Sequence, residues 1–284
     1  MKPNLQTKLD ELAQQVASFH EPPKISDVQW KKFAANTTVA LTAGGESSRY
    51  SAALKGQDVN KNAHELPNGD TMIEMTIRMY RDAGIKEFVA LVFHNAHSVQ
   101  DRVGDGSKLG ATIRYSEDPK QAAGTGGAVR NAIDNGSIPM NHNLIVANPC
   151  DIFFDQPDGF IKRFCESHIE GLDKGMLATA VLTRGIPIPA TGMLVDNNKV
   201  IDAQKFPVVP VPSHIGISIF SPKIFPRFQE LFDLSKKTDF EQLLFPLLAK
   251  EGKLWSAFLT EGTWVQVKDL KGYKELIDKL EENA

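Results

Sequence analysis

Cysteine is nearly missing from this chain: 284 residues hold only Cys150 and Cys165. Two thiols without accompanying His/Cys spacing exclude a disulfide framework and a zinc-ribbon type of metal site. Cys150 sits in an apolar run, which suits a small core residue. No run of about 18 apolar residues occurs, so the sequence offers no membrane-spanning helix. The N-terminus lacks the apolar centre of a secretory signal, and the expected compartment is the cytoplasm. Surplus positive charge is absent as well. The formal net charge is −3, whereas a general nucleic-acid binder must neutralise phosphates with the opposite balance. Neither nucleic acid nor a membrane is an expected partner. Two glycine signatures are also missing. Without G-x-G-x-x-G a redox dinucleotide fold loses support, and without Gly-Lys-Ser/Thr so does a P-loop phosphotransferase. No repeat points to a solenoid or a β-helical tail.

What is present is an ordinary globular composition, 42% hydrophobic and 24% charged, in a length that fits one large α/β domain or two small ones. Leu5, Leu9, Leu12, Val16 and Phe19 share one stripe and predict a helix over residues 4–19 that ends at His20-Glu21-Pro22-Pro23. It is expected to pack on the edge of its own domain. Strand signals follow at 38–42, 88–93, 111–115, 143–147, 177–183, 193–195, 215–220 and 254–258. Helical patterns lie at 70–83, 97–103, 124–134, 157–169, 222–232, 239–250 and 269–282. This alternation predicts a three-layer α/β/α, Rossmann-like sandwich with a mixed, mainly parallel central sheet. The expected division is an N-terminal helical extension, 1–36, and a single domain, 37–284. His94 and His97 read as surface or packing residues, and Trp255 and Trp264 as core filling.

Three segments carry chemistry. In Val39-Ala40-Leu41-Thr42-Ala43-Gly44-Gly45-Glu46-Ser47-Ser48-Arg49 an apolar β-branched strand runs into small residues and ends in arginine. A strand stopping at a Gly-Gly turn can present backbone N–H groups to an anion, and a guanidinium suits phosphate oxygens. The plainer reading is a strand-to-helix turn with a surface arginine. In Tyr115 to Arg130, a strand leads to Gly124-Thr125-Gly126-Gly127 at the start of a helix near Gly126. Such a loop lets a flat base approach the backbone, or else serves as a connector. In Asn143 to Asp155, an apolar strand delivers Asp151 at its C-terminal end, the edge of an open α/β sheet where ligands bind. That aspartate either holds Mg²⁺ or caps a turn.

In their order, these pieces resemble the sugar-1-phosphate nucleotidyltransferases, the NDP-sugar pyrophosphorylases. Ala43-Gly44-Gly45-Glu46-Ser47-Ser48-Arg49 stands where that family has A-G-G-x-G-T-R. Gly69-Asp70-Thr71-Met72-Ile73-Glu74 matches its G-K-P-M-I-E helix start, and Gly124-Thr125-Gly126-Gly127-Ala128 its G-T-A/G-G-A loop. Asn148-Pro149-Cys150-Asp151 resembles its N-G-D with one extra residue. Gln204-Lys205-Phe206-Pro207 is similar to E-K-P, His214-Ile215-Gly216-Ile217 to N-x-G-I/V, and Gly262-Thr263-Trp264-Val265-Gln266 to G-x-W-x-D. The likeness spans about residues 37–280.

The resemblance implies the nucleotide-diphospho-sugar transferase type of fold and a Mg²⁺-dependent reaction. A sugar 1-phosphate attacks the α-phosphorus of an NTP and releases pyrophosphate. It assigns catalysis to Arg49, Lys61 (with Lys55 competing) and Lys205. Nucleotide contacts fall to Ala43, Gly44, Gly45, Glu117, Gly124, Thr125 and Gly127, and sugar-phosphate contacts to Gly192, Lys205 and His214. Asp151 and Gln266 take the metal positions. The partners implied are an NTP and a sugar 1-phosphate, and a homo-oligomer is compatible. Tyr115-Ser116-Glu117 with the glycine loop is most similar to the mannose- and heptose-phosphate guanylyltransferases, which implies a purine.

Several positions depart from the pattern. Ser47 replaces a glycine, Asn62 the proline after the lysine, His214 an asparagine, and Gln266 a metal-binding carboxylate. Asp269 is too far along to substitute. These changes open a second reading, a nucleotide-sugar-binding regulatory subunit with weakened or absent catalysis. A cytidylyltransferase acting on a phosphorylated alcohol is a further alternative. The Ser47-Ser48-Arg49 run is similar to molybdopterin guanylyltransferases, which are shorter and lack the sugar-side segments.

Overall fold

The computed structural model describes residues 4–118, 120–259 and 262–283. It opens with helices α1 (Leu5–Val16) and α2 (Asp27–Ala35). Strand β1 (Thr37–Ala43) leads to the one-turn α3 (Ser51–Leu54), α4 (Met72–Asp82), β2 (Glu87–Val92), α5 (Ala96–Val103), β3 (Thr112–Glu117) and α6 (Gly124–Asp134). Then come β4 (Asn143–Ala147), β5 (Asp151–Phe154), α7 (Phe160–Asp173), β6 (Ala178–Thr183), β7 (Ile186–Pro187), β8 (Thr191–Asp196), β9 (Lys199–Lys205), β10 (Val208–Val209) and β11 (Ser213–Phe220). Helices α8 (Phe225–Leu231) and α9 (Phe240–Lys250), strands β12 (Leu254–Phe258) and β13 (Thr263–Gln266), and α10 (Leu270–Glu282) close the chain.

Seven strands form the central sheet in the order β12-β6-β11-β4-β1-β2-β3. β1 pairs in parallel with β2 and β4, and β2 with β3, while β11 runs antiparallel to β4 and β6. Helices cover both faces, so β1 reads as a continuous apolar run. Its side chains alternate between the layers. Val39 and Leu41 join Phe88, Ile145 and residues of α2, α4, α5 and α7 on one face. Ala40 joins Val89, Leu91 and residues of α6, α8 and α9 on the other. This is the expected three-layer, mainly parallel architecture. α4 begins at a capping box in which Thr71 accepts from the Glu74 backbone and the Glu74 side chain accepts in return. That device explains why the sequence marks this helix so clearly.

A third, smaller apolar cluster (Tyr50, Cys150, Ile152, Val265, Leu276) lies under the β5–β13 pair and α10. Sequence periodicity signals neither of these short strands. Their pairing register, Asp151 opposite Gln266, brings the two positions assigned to the metal face to face.

The N-terminal segment departs from expectation. The helix stops at Val16, no residue of α1 is buried, and it leans on the β8–β9 hairpin, with the Leu5 N–H donating to Asp202 Oδ2 at 2.6 Å. The extended residues after it run beside the sheet edge. The Phe19 ring lies 4.5 Å from that of Phe258 on β12, and His20 edges Trp255 at 6.3 Å. The unforeseen α2 carries Phe33 and Ala34 into the core. Trp255 and Trp264 do not fill the core as a pair. Both are half-buried, and each uses its indole N–H, Trp255 to Ser167 Oγ and Trp264 to Asp151. Among the described residues, no helix is long and apolar enough to cross a membrane.

Candidate functional site

β1 lies between β2 and β4, and the chain passes to one side of it for β2 and β3 and to the other for β4. At such a switch the loops after the two strands part and leave a crevice at their C-terminal ends. A cavity of about 420 Å³ occupies it.

The loop after β1 forms one wall. The Ala43 carbonyl accepts from Asn60 Nδ2 at 2.7 Å, and the same amide donates to the His94 carbonyl at 3.0 Å. Asn60 thus fixes the strand end, and Ala43 itself is fully buried behind the wall. Gly44 packs against Phe93, whereas Gly45 faces open space. Ser47 adopts the left-handed conformation (φ 58°), which turns the chain toward Tyr50. Tyr50 is buried and its hydroxyl meets His64 Nδ1 at 3.0 Å. Arg49, one residue earlier, is thereby held at the cavity. Lys61 also lines it, its ammonium donating to the Val267 carbonyl at 3.3 Å. Lys55 is not a lining residue. It ends α3 in a left-handed turn.

The opposite wall is of mixed charge. Asp118, Gly124, Thr125, Lys237 and Asp239 line it. Asp118 Oδ2 accepts from the Ala123 N–H at 2.8 Å, and burial pushes its carboxyl above the usual range. The Thr125 N–H donates to Asp239 Oδ1 at 2.9 Å, and its hydroxyl lies 3.1 Å from Glu241 Oε2. The glycine loop meets protein here. A Cβ on Gly124 would lie 2.6 Å from the Thr238 carbonyl oxygen, and one on Gly126 would lie 2.2 Å from the Phe232 ring. Gly127 is buried in α6 against Ala123 and does not line the cavity. These glycines admit the 232–239 segment. Glu117 is exposed outside the cavity, its carbonyl accepting from Asn131 Nδ2 at 2.9 Å.

The floor is a hydrogen-bonded knot around Asp151. Thr42 Oγ1 donates to Asn148 Oδ1 at 2.6 Å, and Asn148 Nδ2 donates to Asp151 Oδ2 at 3.0 Å. Trp264 Nε1 and Gln266 Nε2 both donate to Asp151 Oδ1, at 3.0 and 3.2 Å. Asp151 is 2% exposed. Burial raises its pKa, opposed by those three donors and by Lys268. The donors fill three of the roughly four acceptor positions of the carboxylate. Gln266 contributes an N–H to the carboxylate rather than a second anionic oxygen, and no three His, Cys, Asp or Glu side chains converge on a metal position among the described residues. This donor set, as arranged, does not fit Mg²⁺, which demands near-octahedral oxygens.

The three sugar-side positions stand apart from the cavity lining. Gly192 and Lys205 lie on the β8–β9 hairpin, Gly192 against Pro207 and Leu5, and the Lys205 ammonium 4.9 Å over the Phe206 ring. His214 lies on β11, its Nε2 within 2.9 Å of the Ile217 carbonyl and its ring against Phe245. Asn60, Asp118, Lys237, Asp239 and Lys268 went unread in the sequence because each stands in an ordinary polar stretch that no motif marks.

A family model for nucleotidyl transferases matches residues 41–283. The chain belongs to that family. The matched range takes in both walls and the floor of the cavity, and it agrees with the resemblance drawn from the motifs. No curated protein matches the sequence. Among solved structures, a Bacillus anthracis protein described as a glucose-1-phosphate thymidylyltransferase, crystallised with sucrose, superposes with a TM-score of 0.63. It covers 86% of this chain and 94% of its own at 19% identity. At that identity it is the nucleotidyltransferase fold that is shared.

Proposed function

We propose that the cavity binds a nucleoside triphosphate and that the enzyme transfers its nucleotidyl group to a sugar 1-phosphate. The observation that carries this reading is polarity. One cavity at the β1/β4 switch point brings together basic side chains (Arg49, Lys61, Lys237, Lys268) and acidic ones (Glu46, Asp118, Asp239). A triphosphate suits the first, and the hydrogen-bond donors of a base and ribose suit the second.

In the reaction, an oxygen of the sugar phosphate forms a bond to the α-phosphorus and the bond from that phosphorus to the bridging oxygen breaks. Pyrophosphate departs with the electron pair. No covalent intermediate on the protein is required, because positioning and charge stabilisation carry phosphoryl-type transfers. Arg49 and Lys61 would hold the triphosphate and offset the charge that grows on the leaving pyrophosphate. Thr42 and Asn148 would keep the floor rigid beneath the α-phosphate. The β8–β9 hairpin, with Gly192 and Lys205, is the sugar-side element this reading implies. A divalent cation is usual for this chemistry in the family, but the hydrogen bonds around Asp151 leave no step here that runs through one.

The test is pyrophosphate release over a panel of NTPs and sugar 1-phosphates, with Arg49→Ala as the control. Turnover with one pair, lost in the variant, is the expected outcome. Folded protein that turns over no pair refutes the catalytic reading. The occupied Asp151 favours one competitor, a subunit that binds nucleotide sugar without turnover, which the same protein would reveal by calorimetry.

A further inference from the structure

On the reading that the cavity holds a nucleotide, we infer that Lys268, with Lys61, supplies the positive charge that a divalent ion would otherwise bring to the phosphates, so that this chain binds its nucleotide without a metal.

The argument begins with Asp151. Its two oxygens accept three N–H groups, from Asn148, Trp264 and Gln266. Gly216 closes over Oδ2 so tightly that even a Cβ there would lie 2.2 Å from it. A divalent ion at this carboxylate would compete with those donors for its oxygens, and Gln266 offers no charge in return. The floor is satisfied as a hydrogen-bonded unit.

Cations stand beside it instead. Lys268 follows β13 by two residues, and its N–H donates to the Gln266 carbonyl at 3.1 Å. Between them Val267 is fully buried and donates its N–H to the Cys150 carbonyl at 2.8 Å. The Val267 carbonyl holds the Lys61 ammonium. One buried valine therefore ties both lysines to the Cys150-Asp151 turn, and both side chains line the cavity. Each draws the Cys150 thiol pKa down against burial. Neither forms an ion pair with any described residue. Two ammonium groups without an ion pair among the described residues, beside one carboxylate, repel a divalent ion and attract polyphosphate. They also have the directional N–H donors that phosphate oxygens accept.

Calorimetric titration of the full chain with the NTP panel, once in EDTA and once in excess Mg²⁺, tests the inference without relying on turnover. We expect binding in EDTA at least as tight as in Mg²⁺. Lys268→Ala should weaken binding in EDTA by about tenfold or more while leaving the urea midpoint in place, because the residue is exposed. The double variant Gln266→Asp with Lys268→Gly sets a second carboxylate against Asp151 and removes the ammonium, and its binding should become at least about tenfold tighter in Mg²⁺ than in EDTA. Wild-type binding that needs Mg²⁺ overturns the inference and leaves the nucleotide reading standing, as does a Lys268→Ala variant that binds like wild type in EDTA. Binding of no NTP in either buffer overturns both.

Discussion

Gly216→Ala is the substitution that most directly interrogates the floor. Gly216 has φ +79°, where an alanine costs about 1–2 kcal/mol relative to its ordinary conformations. The new Cβ would also lie 2.2 Å from Asp151 Oδ2 and 2.4 Å from Asn148 Nδ2. One of the two must move, and losing a hydrogen bond to a buried carboxylate costs about 1.5–3 kcal/mol. The sum is about 2.5–5 kcal/mol, large against typical single-site effects. Urea unfolding measures it. Gly45→Ala is the contrast, because nothing lies within 4 Å of its Cβ position. Its stability should stay within about 0.5 kcal/mol of wild type, while the added methyl intrudes on the cavity and weakens NTP binding. In an Asp151→Ala, Asn148→Ala background the cost of Gly216→Ala should fall to the backbone part, about 1–2 kcal/mol. A Gly216→Ala protein within 1 kcal/mol of wild type, or an undiminished cost in the doubly substituted background, would refute the packing argument.

Three further outcomes are expected. Gly126→Ala should destabilise the protein because its Cβ would meet the Phe232 ring at 2.2 Å, and Phe232→Ala should relieve part of that cost, measured as non-additivity of about 1 kcal/mol or more in a double-mutant cycle. Trp264→Phe removes one N–H from the Asp151 carboxylate and should cost about 1.5–3 kcal/mol in urea unfolding. His168 is buried against Thr179, and burial pulls its pKa from 6.5 to about 3. The native state resists a proton that the unfolded chain accepts, so stability is lost as pH falls below about 6.5, by about 2.5 kcal/mol between pH 7 and pH 4.5. The difference in urea stability between those pH values should shrink by that amount in His168→Gln, and an unchanged difference would show that other groups dominate.

The layered core was legible because β1, β2 and β4 are long apolar runs and α4 carries its own cap, features that local chemistry decides. The cavity wall after β1 was legible for a similar reason, since Gly44, Gly45 and Arg49 follow β1 directly. The glycine loop at 124–127 reads in the sequence as a place of close approach for a nucleotide base, not for another stretch of the chain. That neighbour, the 232–239 segment, is more than a hundred residues away in the chain. The pairing of Asp151 with Gln266 is likewise non-local. Each residue read alone offers a ligand oxygen, and only the register of β5 against β13 reveals one donating to the other. Lys268 was invisible because it falls after the strand pattern ends, beside a valine whose burial gives it its place.

The stretch that follows α1 bears on solubility. β12 is an outermost strand of the seven-stranded sheet, and outermost strands carry unpaired backbone groups that can recruit other chains. Phe19 and His20 lie across its side chains, with Arg184 stacked 4.1 Å from the Phe19 ring centre. A protein trimmed before Ile25 would keep its cavity but lose that cover, and it should self-associate at concentrations where the intact chain sediments as a single species.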